Sequence, residues 1–213
     1  MVRNQARTNR FESIMPTQAE RATPTIPQLS PVVSAQAESL AWLENASRHG
    51  AARNEALAYF DRLAPVSPAT IAGRWRGAGL HTGHPMDGLL EAHDWYGKAF
   101  DARGEAHPLL FCQGSAIVSI DPRWIPLSAL HSNKVTRSAL ARAGFAAARM
   151  VLRTTSPQAR LRLLTHRGVA SAAMIYDRLP IIDLFRQVTP DILLGLMDVR
   201  GAPPFFFTLH RED

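Results

Sequence analysis

Apolar positions recur with two different periods along this chain, first at helical spacing and later at every second residue. Over 34–48, Leu40, Leu43 and Ala46 fall three apart on one stripe, which predicts a helix that Gly50 interrupts. A second helix is predicted over 53–63, with Ala56, Leu57, Phe60 and Leu63 on one side and Pro65 as its stop. The run Pro65-Val66-Ser67-Pro68 reads as a rigid connector, in which Ser67 and Pro68 suit the cap and first position of one short turn. From Ile71 the period drops to two. Ile71, Gly73, Trp75 and Gly77 share one face of a predicted strand over 71–79, and Arg74 and Arg76 share the other. Glycines on either side of one large aromatic let another element approach it closely.

Further along, 81–90 reads as a turn and a short helix around Pro85 to Leu90, and 95–100 fits a strand or a helix end. Residues 108–112 and 115–120 look like short extended pieces. Pro122, Trp124 and Pro126 suggest a loop, followed by a helix over 136–145. Five short strands are then predicted at 149–153, 159–165, 169–176, 192–199 and 205–209, with turns at 165–168 and 200–203. Between the third and fourth, 177–188 reads as a turn at Pro180 with a short helical or irregular piece. Linkers this short cannot carry crossover helices, so the strands should form an antiparallel meander. The expected fold is mainly β with N-terminal helices, the meander forming a small lipocalin-like barrel or curled half-barrel. An open α+β sheet is the alternative. The expected divisions are a disordered tail over 1–34, helices over 35–66 and a strand region over 67–120. A loop and helix elaboration follows over 121–148, and then a strand region over 149–213 that shares one core with 67–120.

Composition narrows the function more by exclusion than by indication. The chain has 213 residues with 24 Lys and Arg against 18 Asp and Glu, a net charge of +6 without a dense basic run. A nucleic-acid surface concentrates its charge to neutralise neighbouring phosphates, so no nucleic-acid partner is expected. Cys112 is the only cysteine, which rules out an intrachain disulfide and fits a reducing cytoplasm. No apolar run is long enough to span a membrane, and the first residues do not read as a secretory signal.

Several residues could carry chemistry. Trp75 could plug one end of a barrel or wall a ligand pocket. His84, between Gly83 and Pro85 on a turn, could contact a ligand or act as a base near neutral pH. His81, His84, His93 and Asp94 raise a metal question, but without HExxH or paired cysteines no metal site is expected. A cofactor, including haem held by a loop histidine, stays open. Lys98 is either a solvated strand lysine or a pocket lysine meeting an acidic head group. Tyr176, Asp177, Asp183 and Arg186 form the densest polar cluster in an apolar context, where Asp183 and Arg186 could pair on a helical turn and an arginine could lock Asp177. Met174 is expected to face inward with Tyr176. Phe205, Phe206 and Phe207 cannot all be buried by one sheet with a wet face, so they should pack on the helices or on a second copy, making a homodimer plausible. Nucleophile elbow, phosphate loop and dinucleotide fingerprint are all absent.

The stretch Gly73-Arg74-Trp75-Arg76-Gly77 resembles the signature of the bacterial GxWxG family. Phe60 to Val66 resembles its approach helix and connector. Gly83-His84-Pro85 and Trp95-Tyr96-Gly97-Lys98-Ala99-Phe100 resemble its histidine turn and its W-x-G-K-x-F stretch. Residues 174–186, Gly195-Leu196-Met197-Asp198 and 205–211 resemble the uncharacterised domain that commonly follows it. The resemblance covers roughly 55–211, departs over 121–148, and brings no activity with it. Likeness to lipocalin barrels is an analogy of fold alone. Three functional expectations stand together. The first is a carrier binding a small hydrophobic molecule in a barrel-like cavity, lined by candidates that include Trp75, Trp95, Lys98, Met174, Tyr176 and Arg186. The second is an enzyme for a small organic substrate using His84 with Asp177 or Asp183. The third is a homo-oligomeric interaction module using the terminal phenylalanines.

Overall fold

The computed structural model describes residue 1, residues 31–124 and residues 138–212. The expected tail over 1–34 lies largely outside them, as does 125–137 of the expected elaboration. Two helices, α1 (Pro31–His49) and α2 (Arg53–Arg62), precede a sheet of ten strands. In chain order the strands are β1 (Ala64–Pro65), β2 (Gly73–Leu80), β3 (Trp95–Phe100), β4 (Glu105–Gln113), β5 (Ala116–Ser119), β6 (Ala159–His166), β7 (Val169–Tyr176), β8 (Ile181–Thr189), β9 (Ile192–Val199) and β10 (Phe205–Arg211). A short helix α3 (Leu89–Ala92) lies between β2 and β3, and α4 (Ala139–Ala148) lies between β5 and β6.

Among the described residues every pairing between strands is antiparallel, as the short linkers require. From β6 to β10 each strand pairs with the next, β10 then pairs with β2, and β4 returns to β6, so the sheet curls into a ring. The ring is not even about one axis, which corrects the expected lipocalin-like barrel. The reason lies at one seam. β4 and β6 share only the pairs Glu105–Arg160 and Ala106–Ala159, after which β5 takes over the β4 edge from Leu110 to Gln113. Bulges in the β3–β4 ladder bend the same side further.

Two expected elements change character. Arg153 forms a single bridge to Ile120 in place of a strand over 149–153. Residues 181–189, expected to be irregular, form β8, paired on both sides by β7 and β9. Two register-locked neighbours outweigh weak local preference.

Alternation along the strands builds two apolar layers from one sheet. Odd positions such as Leu193, Met197, Phe205, Phe207 and Leu209 fill the inside of the ring. Even positions such as Leu184, Leu194, Leu196 and Phe206 pack under α1 and α2 with Leu43, Tyr59 and Phe60. Phe205, Phe206 and Phe207 are each no more than 2% exposed, so both faces of β10 are covered within one chain. A homodimer through those three rings has no exposed ring to rest on, and Phe206 meets the edge of Phe60 instead. Each such side chain removed from water contributes about 1.5–3 kcal/mol.

Burial also sets a pH response. His107 bonds Ser119 Oγ across the β4–β5 pair at 3.0 Å, and burial lowers its pKa below 6.5, as it does for His166 and His210. The unfolded chain therefore takes up protons that the fold resists, so stability present above pH 6.5 is lost as pH falls through the folded pKa values. A melting temperature that falls between about pH 7 and pH 5, with a smaller fall in His107→Gln, is the expected result; equal falls in both proteins would remove His107 from this account.

Candidate functional site

The ring interior is not completely filled. A cavity of about 370 Å³ lies between β3, β4, β8, β9 and β10, with Leu109, Phe111, Met197, Phe205 and Phe207 among its apolar walls. Helix α4 closes one side through Ala141, Phe145 and Ala148, and the rim includes the exposed Trp124. Ser138 caps α4 by accepting a bond from the Ala141 N–H at 3.1 Å. Phe145 meets the edges of Phe111 and His93, at ring centroid separations of 5.2 and 5.1 Å. Arg149 ties the helix end to the sheet by donating to the carbonyls of Cys112 and His93, at 2.8 and 3.2 Å, and by pairing with Asp94.

Besides His93, four polar side chains interrupt this apolar wall. Lys98 Nζ lies 2.8 Å from Asp183 Oδ2, with the two side chains only 3% and 1% exposed. The ammonium also donates to the Pro108 carbonyl at 3.1 Å and lies over the rings of Phe207, Trp95 and Tyr176 at 5.0, 5.6 and 5.8 Å. The Tyr176 hydroxyl reaches the same carboxylate, and burial together with that negative charge pushes the phenol well above 10. Burial pushes the Asp183 carboxyl up as well, against the pull of Lys98 and Tyr176. Lys98 and Tyr176 thus both meet the Asp183 carboxylate, whereas the buried Trp95 Nε1–H has no acceptor among the described residues.

Strict alternation from Trp95 would turn Lys98 outward. Register shifts between Trp95 and Gly97, and between Gly97 and Ala99, rephase β3 so that both side chains reach the cavity. Gly97 has φ +147°, and a Cβ there would overlap the Trp75 carbonyl oxygen. On the facing strand, Gly77 leaves its inward position to the Trp95 indole, which a Cβ would overlap. These two glycines let β2 and β3 approach while a large ring lies between them.

This order of glycine, tryptophan and glycine on β2 lies within a match to the GXWXG protein family model, over residues 58–115. The model of a domain of unknown function, DUF4334, matches residues 157–211. A crystal structure of a protein from Thermomonospora curvata is similar over 84% of this chain and 99% of that one, with 31% identity and a TM-score of 0.61. The chain belongs to the GXWXG family. No curated protein matches it.

In this GXWXG protein the signature tryptophan lies in the ring core away from the cavity wall. Trp75 is fully buried, donates to the Ile71 carbonyl at 2.9 Å, and carries the Arg211 guanidinium 4.3 Å above its ring. Met174 is likewise buried in the core beside the cavity. His84 lies behind Phe205, accepts from the Met86 N–H at 3.0 Å and meets the Pro203 carbonyl through Nε2 at 3.2 Å, so backbone groups engage both nitrogens. Asp177 lies on the surface in an ion pair with Arg160 at 3.0 Å. The arrangement of His84 with Asp177 or Asp183 is therefore not assembled at the cavity.

Asp183 and Arg186 were expected to pair on a helical turn. They sit three apart on a strand, which sends them to opposite faces. Arg186 lies under the helices, 4.8 Å above the Phe60 ring, and donates to the carbonyls of Phe185 and His166. Of the two readings of Lys98, a solvated strand lysine or a pocket lysine, the solvated one does not hold: the side chain is buried at the cavity as the partner of Asp183. Trp95, Lys98, Tyr176 and Asp183 are the sequence candidates that meet at the cavity. Leu109, Phe111, Phe145 and Met197 are among its other wall residues, and no chemical signal in the sequence marks them out.

Proposed function

We propose that this protein binds a small, mostly apolar molecule in the cavity inside the curled sheet. The observation that carries this reading is an apolar space of about 370 Å³ with a buried polar cluster at one place on its wall. A few convergent polar groups in a largely apolar hollow are what a small-molecule site requires. The volume suits a ligand of about ten to fifteen non-hydrogen atoms. In this reading Lys98, Asp183, Tyr176 and Trp95 receive the polar end, and α4 covers the rest.

Native mass spectrometry of protein purified from a bacterial host, before and after denaturation, should show a mass excess that is released on unfolding. The neutral dye N-phenyl-1-naphthylamine should also enter the cavity and brighten. Replacing Ala148 on α4 by tryptophan fills the cavity from its margin, and dye affinity should drop at least about tenfold with little change in melting temperature. Dye binding that is unaffected by Ala148→Trp would place the dye elsewhere and count against the cavity.

A further inference from the structure

The groups left unspent at the polar end of the cavity describe the head of the molecule it takes. An ammonium has three N–H donors, and Lys98 uses one on Asp183 and one on the Pro108 carbonyl. Among the described residues the third meets only the faces of aromatic rings. Trp95 Nε1–H is a second donor without an acceptor, on a side chain 92% buried. On the other side of the balance, the Asp183 carboxylate offers about four lone-pair sites and, among the described residues, meets the Lys98 ammonium and the Tyr176 hydroxyl, so acceptor capacity is left over. The site thus has unspent donors and an unspent acceptor around one ion pair.

Charge narrows the choice further. Lys98 and Asp183 already neutralise each other, and both are out of water. A ligand carboxylate would bring a second negative charge beside Asp183, and a ligand ammonium would bring a second positive charge beside Lys98. Either leaves one buried charge without compensation, which costs more than any hydrogen bond it gains. A ketone is uncharged but only accepts, leaving Asp183 as it is. An alcohol does both, since its oxygen can accept from Lys98 or Trp95 while its O–H donates to Asp183.

We infer that the cavity takes an uncharged apolar alcohol, its hydroxyl seated between Lys98, Asp183 and Trp95; this deepens the binding reading and rests on it. Calorimetry with the wild-type protein and an eight-carbon series reads the inference directly. The probes are 1-octanol, 2-octanone, octane, octanoate and octylammonium. 1-Octanol should bind about tenfold or more tightly than octanoate and octylammonium, with 2-octanone between.

The double variant Lys98→Met with Asp183→Leu removes the pair without leaving a lone charge. In it 1-octanol should weaken about tenfold while octane binds equally or more tightly. Octanoate or octylammonium matching 1-octanol would overturn the inference and leave the binding reading standing. So would an equal response of octane and 1-octanol to the double variant. Should none of the five bind, octane included, the cavity reading itself falls. The comparison within the wild-type protein needs no variant to fold.

Discussion

Replacing Lys98 by methionine is expected to destabilise the protein by about 3–5 kcal/mol, the range for breaking a buried ion pair from one side. For a chain of this size that lowers the melting temperature by roughly 10 °C. The carboxyl of Asp183 is 1% exposed and already raised by burial, so losing the ammonium drives it to take up a proton at a cost. Asp183→Leu with Lys98 kept should be as damaging, since the lone ammonium then sits among Phe207, Trp95 and Tyr176. Thermal melts of both single variants and the double variant decide the matter. The double variant should recover most of the loss, because two apolar side chains of similar volume carry no desolvation penalty. A double variant no more stable than the singles would show that the pair's geometry, not charge balance, holds this part of the ring. Wild-type stability matched by a variant that no longer prefers an alcohol would mark the pair as retained for binding, at no gain in stability.

Gly97→Ala should be at least as severe, with a loss of about 4 kcal/mol or more. Two costs combine there. The φ of +147° is one that an L side chain rarely adopts, and the new methyl would overlap the backbone of Trp75 on the neighbouring strand. Backbone cannot rotate away as a flexible side chain can, so β2 and β3 must separate and the bulge that turns Lys98 inward must change. Gly77→Ala offers a useful contrast, because its methyl would overlap the ring of Trp95, which lines the cavity. Gly77→Ala with Trp95→Leu should therefore recover stability that Gly97→Ala cannot recover through any single side chain. Denaturant melts would show this difference directly. Equal rescue at both positions would mean that the backbone clash at Gly97 is relieved more easily than its geometry implies.

Much of the strand pattern was legible because burial on one face of a sheet writes itself into every second residue. Arg74 and Arg76 against Trp75 and Gly77 in β2 is such a case, as is Arg160 and Arg162 against Leu161 in β6, while β7, β9 and β10 fall where short apolar segments between turns placed them. The two N-terminal helices were legible from their three-residue spacing and their proline and glycine stops. β8 was not, because Asp183, Arg186 and Gln187 break up its apolar run, and the pairing with β7 and β9 that makes it a strand is not a local signal. That error moved Asp183 and Arg186 onto one imagined helical face, although a strand sends them to opposite sides.

By itself, then, the sequence determined the antiparallel meander, the helical cap over it, the close glycine and tryptophan packing, and most of the polar residues worth attention. Tertiary structure alone decided which of them meet. Lys98 comes from β3 and Asp183 from β8, 85 positions later in the chain (183 − 98), and no local spacing predicts a contact across a ring. Its inward direction depends on a bulge, which shifts the phase of alternation by a residue that no period reveals. The uneven ring follows from the short β4–β6 seam, and the cavity wall from α4 filling beside it. Periodicity records which face of an element is covered, whereas a site depends on which elements lie opposite one another, and that is set by pairing between distant strands.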